Sequence, residues 1–200
     1  ADDLGASDIE AFGSEIDTPH INKLVETGVT FTYFHTSPTC SPSRAMLLTG
    51  LDNHKAGFGT MAELITENAK GKPGYEGYLR PDATVIAEHL KPSGYKSYIA
   101  GKCHLGHKPE HGPQARGFDR SFVALDGGGN HFNNLGYSTI SPKINYREDG
   151  EIIEVSGDIF SSDNYANKMI EYIDSTPEDA PFFAYLAFTA PHWPTQAPDA

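Results

Sequence analysis

Apolar positions fall into runs of two kinds along the chain. Val29–His35, Tyr95–Ala100 and Phe182–Thr189 read as strands. The last is almost unbroken, Phe182-Phe183-Ala184-Tyr185-Leu186-Ala187-Phe188, and a continuous apolar run of that length predicts a strand buried on both faces. Between these runs the spacing turns helical. Ser161–Asp174 puts Tyr165, Met169, Tyr172 and Ile173 on one face. Asp82–Lys91 carries Val85, Ile86, His89 and Leu90 in i, i+4 pairs, and Pro92 should stop it, because proline disfavours the α conformation in the residue before it. Asp17-Thr18-Pro19 marks a third helix start, closed by Gly28. Alternating helices and strands predict an α/β sheet covered on both sides. Asp126–Asp158, rich in Gly, Asn and Pro, predicts long loops with a hairpin around Asp149-Gly150. No repeat or linker divides the chain, so residues 1–200 read as one domain. That domain reads as incomplete: no strand precedes Ala1-Asp2-Asp3-Leu4-Gly5, and the chain stops at Ala200 in a Pro-rich loop.

Composition narrows the partners. A hydrophobic fraction of 38% with 21% charged residues is that of a globular chain, not a disordered one. No apolar run reaches the roughly 20 residues of a membrane helix, so no membrane is expected. The net charge of −12, from 15 basic and 27 acidic residues, argues against nucleic acid. A small anion is still allowed, since charges beyond about 8 Å are largely screened at physiological salt. No Asn is followed two positions later by Ser or Thr, a slight lean away from secretion and toward the cytoplasm. Two cysteines make no disulfide framework, so at least one is expected to be chemical.

The sharpest chemical feature is Cys40-Ser41-Pro42-Ser43-Arg44, followed by Ala45-Met46-Leu47-Leu48-Thr49-Gly50. Ser41 suits a helix cap, Pro42 the first helical position and Gly50 the end. Cys40 is then expected just before a helix N-terminus, where free N–H groups favour an anion. Arg44 lies one turn on, within reach of Cys40 and of an oxyanion. A tyrosine-phosphatase cysteine needs five residues before its arginine and here there are three. A buried structural cysteine beside a surface arginine is the plain alternative. A third reading is a Cys-x-Pro-x-Arg signal for oxidation of the cysteine to formylglycine.

Three further clusters carry candidate chemistry. Asp2 and Asp3 can meet one hard cation if the chain turns after them, which Gly5 permits; the plain reading is a solvated acidic terminus. In Gly101-Lys102-Cys103-His104-Leu105-Gly106, an extended chain puts Lys102 and His104 on one face and Cys103 on the other. A zinc site from Cys103, His104, His107 and His111 is disfavoured, because Gly106 and Pro109 break any helix that could align them. Finally, His192 in Ala190-Pro191-His192-Trp193-Pro194 ends a strand, where ligands bind in α/β sheets.

Taken in order, Ala-Asp-Asp-Leu-Gly at 1–5, the Cys40–Arg44 signature, Gly-Lys-x-His-Leu-Gly at 101–106 and Ala-Pro-His-Trp-Pro at 190–194 resemble the motifs of the formylglycine-dependent sulfatases. Gly59–Glu63, Gly71–Gly77 and Ala115–Phe118 are similar to bacterial and fungal arylsulfatases. The resemblance implies an alkaline-phosphatase-like α/β sandwich, with a mixed, mostly parallel sheet and helices on both faces, of which this chain is the N-terminal part. It implies hydrolysis of a small-molecule sulfate ester, an aryl sulfate above all. It implies Ca²⁺ held by Asp2, Asp3 and modified Cys40, and a formylglycine-generating enzyme as transient partner of the Cys40 segment. Hydrated formylglycine at position 40 would attack sulfur and Arg44 would hold it. Lys102 would bind a sulfate oxygen, His104 would help deprotonate the second hydroxyl, and His192 would assist departure of the alcohol. A phosphonate or phosphate ester hydrolase of the same superfamily is the alternative, or a non-catalytic calcium-binding chain if Cys40 stays a thiol. Two departures stand out. Position 103 is Cys where the family usually has Trp, and the family's later Asp-Asn metal ligands and second sulfate-binding Lys are expected beyond Ala200.

Overall fold

In Lys96–Lys102 every residue after Lys96 is buried, as a strand with neighbours on both edges and layers on both faces requires. A computed structural model describes residues 1–137, 142–155 and 159–199, and in it this strand, β1, is the axis of a five-stranded sheet. The other strands are β2 (Arg120–Ala124), β3 (Tyr146–Glu148), β4 (Glu151–Ile153) and β5 (Phe182–Ala187), in the spatial order β4-β3-β2-β1-β5. β1 runs parallel to β2 and β5, while β3 is antiparallel to β2 and forms a hairpin with β4. The hairpin turns at Asp149-Gly150, both at positive φ, as such tight turns demand.

Alternate residues of β1 serve different layers. Tyr98 and Ala100 join Phe122, Ala124 and Tyr146 against Tyr165, Met169 and Tyr172 of α5 (Ser161–Asp174). Ile99 faces the other way, with Val123 and Cys103, onto Ala45 and Leu48 of α2 (Cys40–Thr49), Ala56 of α3 (Asn53–Ala56) and Ala87 of α4 (Ile86–Leu90). The mixed sheet is therefore covered on both faces, as the alternating pattern predicts. α5 has the bounds that its apolar face implies. α1 (Pro19–Thr27) starts with Pro19 and ends at Gly28. No helix among the described residues is long and apolar enough to cross a membrane.

Four expectations change. Val29–His35 is not a strand: it pairs with no strand among the described residues, and Val29, Phe31, Tyr33 and Phe34 are exposed. An apolar run without a neighbouring edge has nowhere to place its backbone bonds. β5 lies at the edge of the described sheet and is mostly half-buried, so the Phe182–Thr189 run overstates its burial. The helix expected from Asp82 starts at Ile86, where Glu88 accepts from Val85 N at 2.7 Å. Pro92 does not end it by excluding α at Lys91, which is helical at φ −56°; the chain winds on into a 3₁₀ turn, Lys91–Ser93, and Gly94 stops it. Parts of the expected Asp126–Asp158 loops, and Ala200, lie outside the described residues.

β1 delivers its last residue, Lys102, through a glycine that no other residue replaces. Gly101 sits at φ +114°, and a Cβ there would lie 2.0 Å from the carbonyl oxygen of Ala187 in β5. Gly101→Ala should destabilise the fold by at least about 2 kcal/mol, combining backbone strain and the clash. Thermal melts of the variant check this; an unchanged midpoint would contradict it.

Candidate active site

Helix α2 begins earlier than its sequence suggests. Thr39 is the cap, without a side-chain bond, and Cys40 is the first helical residue. Ser41 is therefore inside the helix, and Pro42 takes the third position, which tolerates proline because the first four N–H groups have no intrahelical acceptor. Gly50 ends the helix at φ 67°. Cys40 thus lies in the first turn, half-buried, at the positive end of the helix dipole. It borders a cleft of about 700 Å³ lined also by Asp2, Asp3, Phe34, Thr39 and Arg44.

Asp2 is the centre of a buried ion network. Its N–H donates to Ala190 O at 3.1 Å, docking the N-terminal segment beside the loop after β5. Its Oδ2 accepts from Lys102 Nζ at 2.6 Å, and its Oδ1 lies 3.3 Å from Arg44 Nη2. Arg44 Nη1 donates to Lys102 O at 2.7 Å. Burial alone would push the Asp2 carboxyl up, but Lys102 and Arg44 together outweigh it and hold the group below its ordinary value. Asp3 leaves in another direction. The turn expected at Gly5 occurs at Asp3 itself, at φ 62°, a conformation that Asp tolerates better than most. The exposed Asp3 carboxylate lies 3.7 Å from His192 Nε2.

Two imidazoles complete the site. The chain turns at His104 (φ 55°), so Lys102 and His104 do not share a regular strand face. Cys103 still points away, into the apolar core, where burial pushes its thiol up to about 11. His104 Nε2 bonds Glu63 Oε1 at 2.8 Å. A carboxylate only accepts, so Nε2 carries the proton, and the buried Nδ1, without a protein partner, holds the lone pair when the ring is neutral. The neighbouring His104 first, and Lys102 with it, hold the Cys40 thiol below its ordinary value against burial. His192 Nδ1 donates to Trp193 O at 2.5 Å, leaving Nε2 facing Asp3. Its backbone is braced by His131, whose Nε2 lies 3.3 Å from His192 O while Nδ1 bonds Ser161 Oγ at 2.7 Å.

Ligand atoms of Asp2, Cys40 and His192 lie within 4.8 Å of one another. Carboxylate, thiol and imidazole fit a divalent cation in part, and an oxygen in place of the sulfur would fit a hard one better. The zinc quartet, disfavoured from the sequence, does not gather: Cys103 is in the core, His104 is on Glu63, His107 is on Asp126 and His111 stacks on Tyr78.

Glu63, His131 and Tyr137 are site neighbours that the motif reading did not single out. Glu63 lies inside the stretch Gly59–Glu63 that carries part of the resemblance, but its pairing with His104 spans 41 residues and has no local signature. Nothing in the sequence marks His131.

This geometry, a helix-terminal cysteine among buried cations and two imidazoles, sits at the carboxyl edge of an open, mixed α/β sheet. The sulfatase family model matches residues 1–200, and the chain belongs to the sulfatase family. It is 44% identical over 201 residues to an arylsulfatase of Klebsiella aerogenes, covering 100% of this chain and 43% of that protein. It is 45% identical over 208 residues to an uncharacterized sulfatase of Schizosaccharomyces pombe, covering 99% and 38%. The chain thus spans about two fifths of the length of these relatives. The solved structure of Ps i-CgsB with k-i-k-neocarrahexaose superposes with a TM-score of 0.80 at 31% identity, covering 98% of this chain and 45% of that one. The family works with formylglycine and a divalent metal.

Bonding to His104, helped by the positive imidazole, depresses the Glu63 carboxyl from 4.5 to about 2 despite burial. A depressed carboxyl stabilises the fold above its unfolded value and loses that contribution as pH falls through the folded one. Melting midpoints of the parent and of Glu63→Gln should therefore differ above about pH 4.5 and converge toward about pH 2. A gap independent of pH would refute the pairing.

Proposed function

We propose that this chain is the N-terminal part of a sulfatase catalytic domain that hydrolyses sulfate esters, aryl sulfates first among them, to an alcohol or phenol and inorganic sulfate. The observation that carries the reading is residue 40 at a helix N-terminus, with His104 beside it and Lys102 and Arg44 buried behind it. Such a place suits an anion undergoing attack.

Formylglycine formed from Cys40 would supply, as its hydrate, two oxygens on one carbon: one to attack sulfur and one to release sulfate. Ser41, Pro42 and Arg44 are buried in the folded chain, so a formylglycine-generating enzyme would read the Cys40 segment before folding. His104 Nδ1 would take the proton from residue 40, with Glu63 stabilising the resulting cation. Lys102 has three ammonium hydrogens; one faces Asp2, and another would meet a sulfate oxygen. Arg44 would hold Asp2 and offset charge. His192 Nε2 would deliver a proton to the departing ester oxygen. We assign the metal to Ca²⁺, held by Asp2 and the modified residue 40; Asp3, whose carboxylate faces His192 in this structure, would join them only by turning back toward Asp2, and the ion would favour the deprotonated form of a neighbouring hydroxyl.

Phosphate and phosphonate esters share the tetrahedral anion, so relative turnover of nitrophenyl sulfate and nitrophenyl phosphate separates the two readings. Cys40→Ala in the complete enzyme should abolish sulfate-ester turnover while leaving the melting midpoint near that of the parent. Substantial residual turnover would remove residue 40 from the reaction. Cys103→Ser should keep turnover within about tenfold, roughly 1.4 kcal/mol in the barrier, since this thiol packs in the core; complete inactivation of folded protein would contradict that placement.

A further inference from the structure

Two large aromatic side chains at the site belong to neither core cluster. Trp193, next to His192, is 61% exposed, and Tyr137 is 44% exposed. They meet edge to face, with ring centroids 5.5 Å apart and planes at 75°. Tyr137 also lies 6.0 Å from the His192 ring, centroid to centroid. Both rings are thus open to solvent and lie beside His192, in chain position or in ring contact.

The loop after β2 is built to let Tyr137 approach. A Cβ on Gly127 would lie 2.8 Å from His104 Cε1 and 3.4 Å from Tyr137 Oη. A Cβ on Gly128 would lie 2.9 Å from His192 Cε1 and 3.1 Å from Tyr137 Cε1. The two glycines are thus the contact points at which backbone, both imidazoles and the tyrosine ring converge. The loop is pinned by Asn130 N to Leu135 O at 2.8 Å and by Gly136 N to Pro142 O at 3.0 Å. Burial, then the charges of Glu63, Cys40, Asp126 and Asp2, raise the Tyr137 phenol, which keeps the ring neutral where the other groups are charged.

We propose that Tyr137 and Trp193 form the subsite for the organic group of the substrate and select an aromatic alcohol over an aliphatic one. The inference rests on the proposed sulfate-ester hydrolysis, because it places the ester oxygen at His192. From there the organic group runs past His192 along the Tyr137 and Trp193 rings. An edge-to-face pair offers a third ring both a face and an edge, an electrostatic fit that a saturated ring of equal size lacks. The pair touches the organic group and leaves the sulfate to Lys102.

The test compares nitrophenyl sulfate with cyclohexyl sulfate in the complete enzyme and in Tyr137→Ala, Trp193→Ala, Tyr137→Phe and Trp193→Phe, with melting curves for each. The alanine variants should raise KM for nitrophenyl sulfate by about tenfold with kcat within about threefold. They should leave KM for cyclohexyl sulfate and the inhibition constant of inorganic sulfate nearly unchanged, and the phenylalanine variants should recover most of the loss. Equal losses for both esters, or a parallel shift in sulfate inhibition, would overturn the proposal. So would a larger loss with a sulfated sugar than with the nitrophenyl ester. Failure of the parent reading looks different: an enzyme that turns over nitrophenyl phosphate but no sulfate ester refutes sulfatase activity. The alanine variants should then still lose preference for the nitrophenyl over the cyclohexyl phosphate, and retention of that preference would overturn the subsite.

Discussion

The ion network of Asp2, Lys102 and Arg44 is the constraint on which the site depends. Lys102 has no exposed surface and Arg44 is 8% exposed, so both cations depend on Asp2 for much of their compensation. Removing one partner of a buried pair typically costs about 3–5 kcal/mol, because a charge is left uncompensated. The network therefore fixes three distant segments at once: the N-terminal residues, the first turns of α2 and the end of β1. It also accounts for the backbone around it. Asp2 must reach Lys102 from the side, which the bond from Asp2 N to Ala190 O secures. Lys102 must follow a strand that lies flush against β5, which Gly101 makes possible.

The same network explains why the chemistry gathers at one edge of the sheet. Lys102 ends β1, Asp126–Gly129 follow β2, and His192 follows β5. These are the carboxyl ends of the three parallel strands, where side chains leave the sheet together and loops have room to form a site. The antiparallel hairpin contributes no ligand. It covers the far edge of β2, and Asn145, just before β3, donates to Asp126 at 2.5 Å and so steadies the glycine loop.

Local signals carried a good part of this architecture. The α5 face, the α1 limits and the hairpin at Asp149-Gly150 are each set by residues within a few positions of one another, and spacing reveals them. Cys40, Lys102, His104 and His192 could be found because each lies in a short motif. What spacing hides is partnership across the chain. The exposed apolar run at Val29–His35 looks like a strand until one asks which edge it pairs with. β5 reads as fully buried because apolar content does not report whether a strand is central or at an edge. The turn at Asp3 in place of Gly5 follows from where Asp2 must point, which depends on Lys102, 100 residues away. Glu63 and His131 act through His104 and through the His192 backbone, and neither contact has a sequence period.

The two imidazoles differ in what holds their far nitrogen, and that difference separates their proposed roles. His104 gives its Nε2 proton to a carboxylate, so charge appearing on the ring is met by an opposite charge 2.8 Å away. That arrangement leaves Nδ1 as the nitrogen with the lone pair in the neutral ring, on the side of residue 40. His192 gives its Nδ1 proton to a neutral carbonyl, that of Trp193. A carbonyl orients the ring but offers no full countercharge there. What charge faces its Nε2 comes from Asp3, at 3.7 Å and in contact with water. The charge facing Nε2 is therefore the more distant and more screened of the two. The base proposed beside residue 40 and the acid proposed beside the departing oxygen thus differ in what holds the far nitrogen: a carboxylate hydrogen-bonded at 2.8 Å for one, a backbone carbonyl for the other.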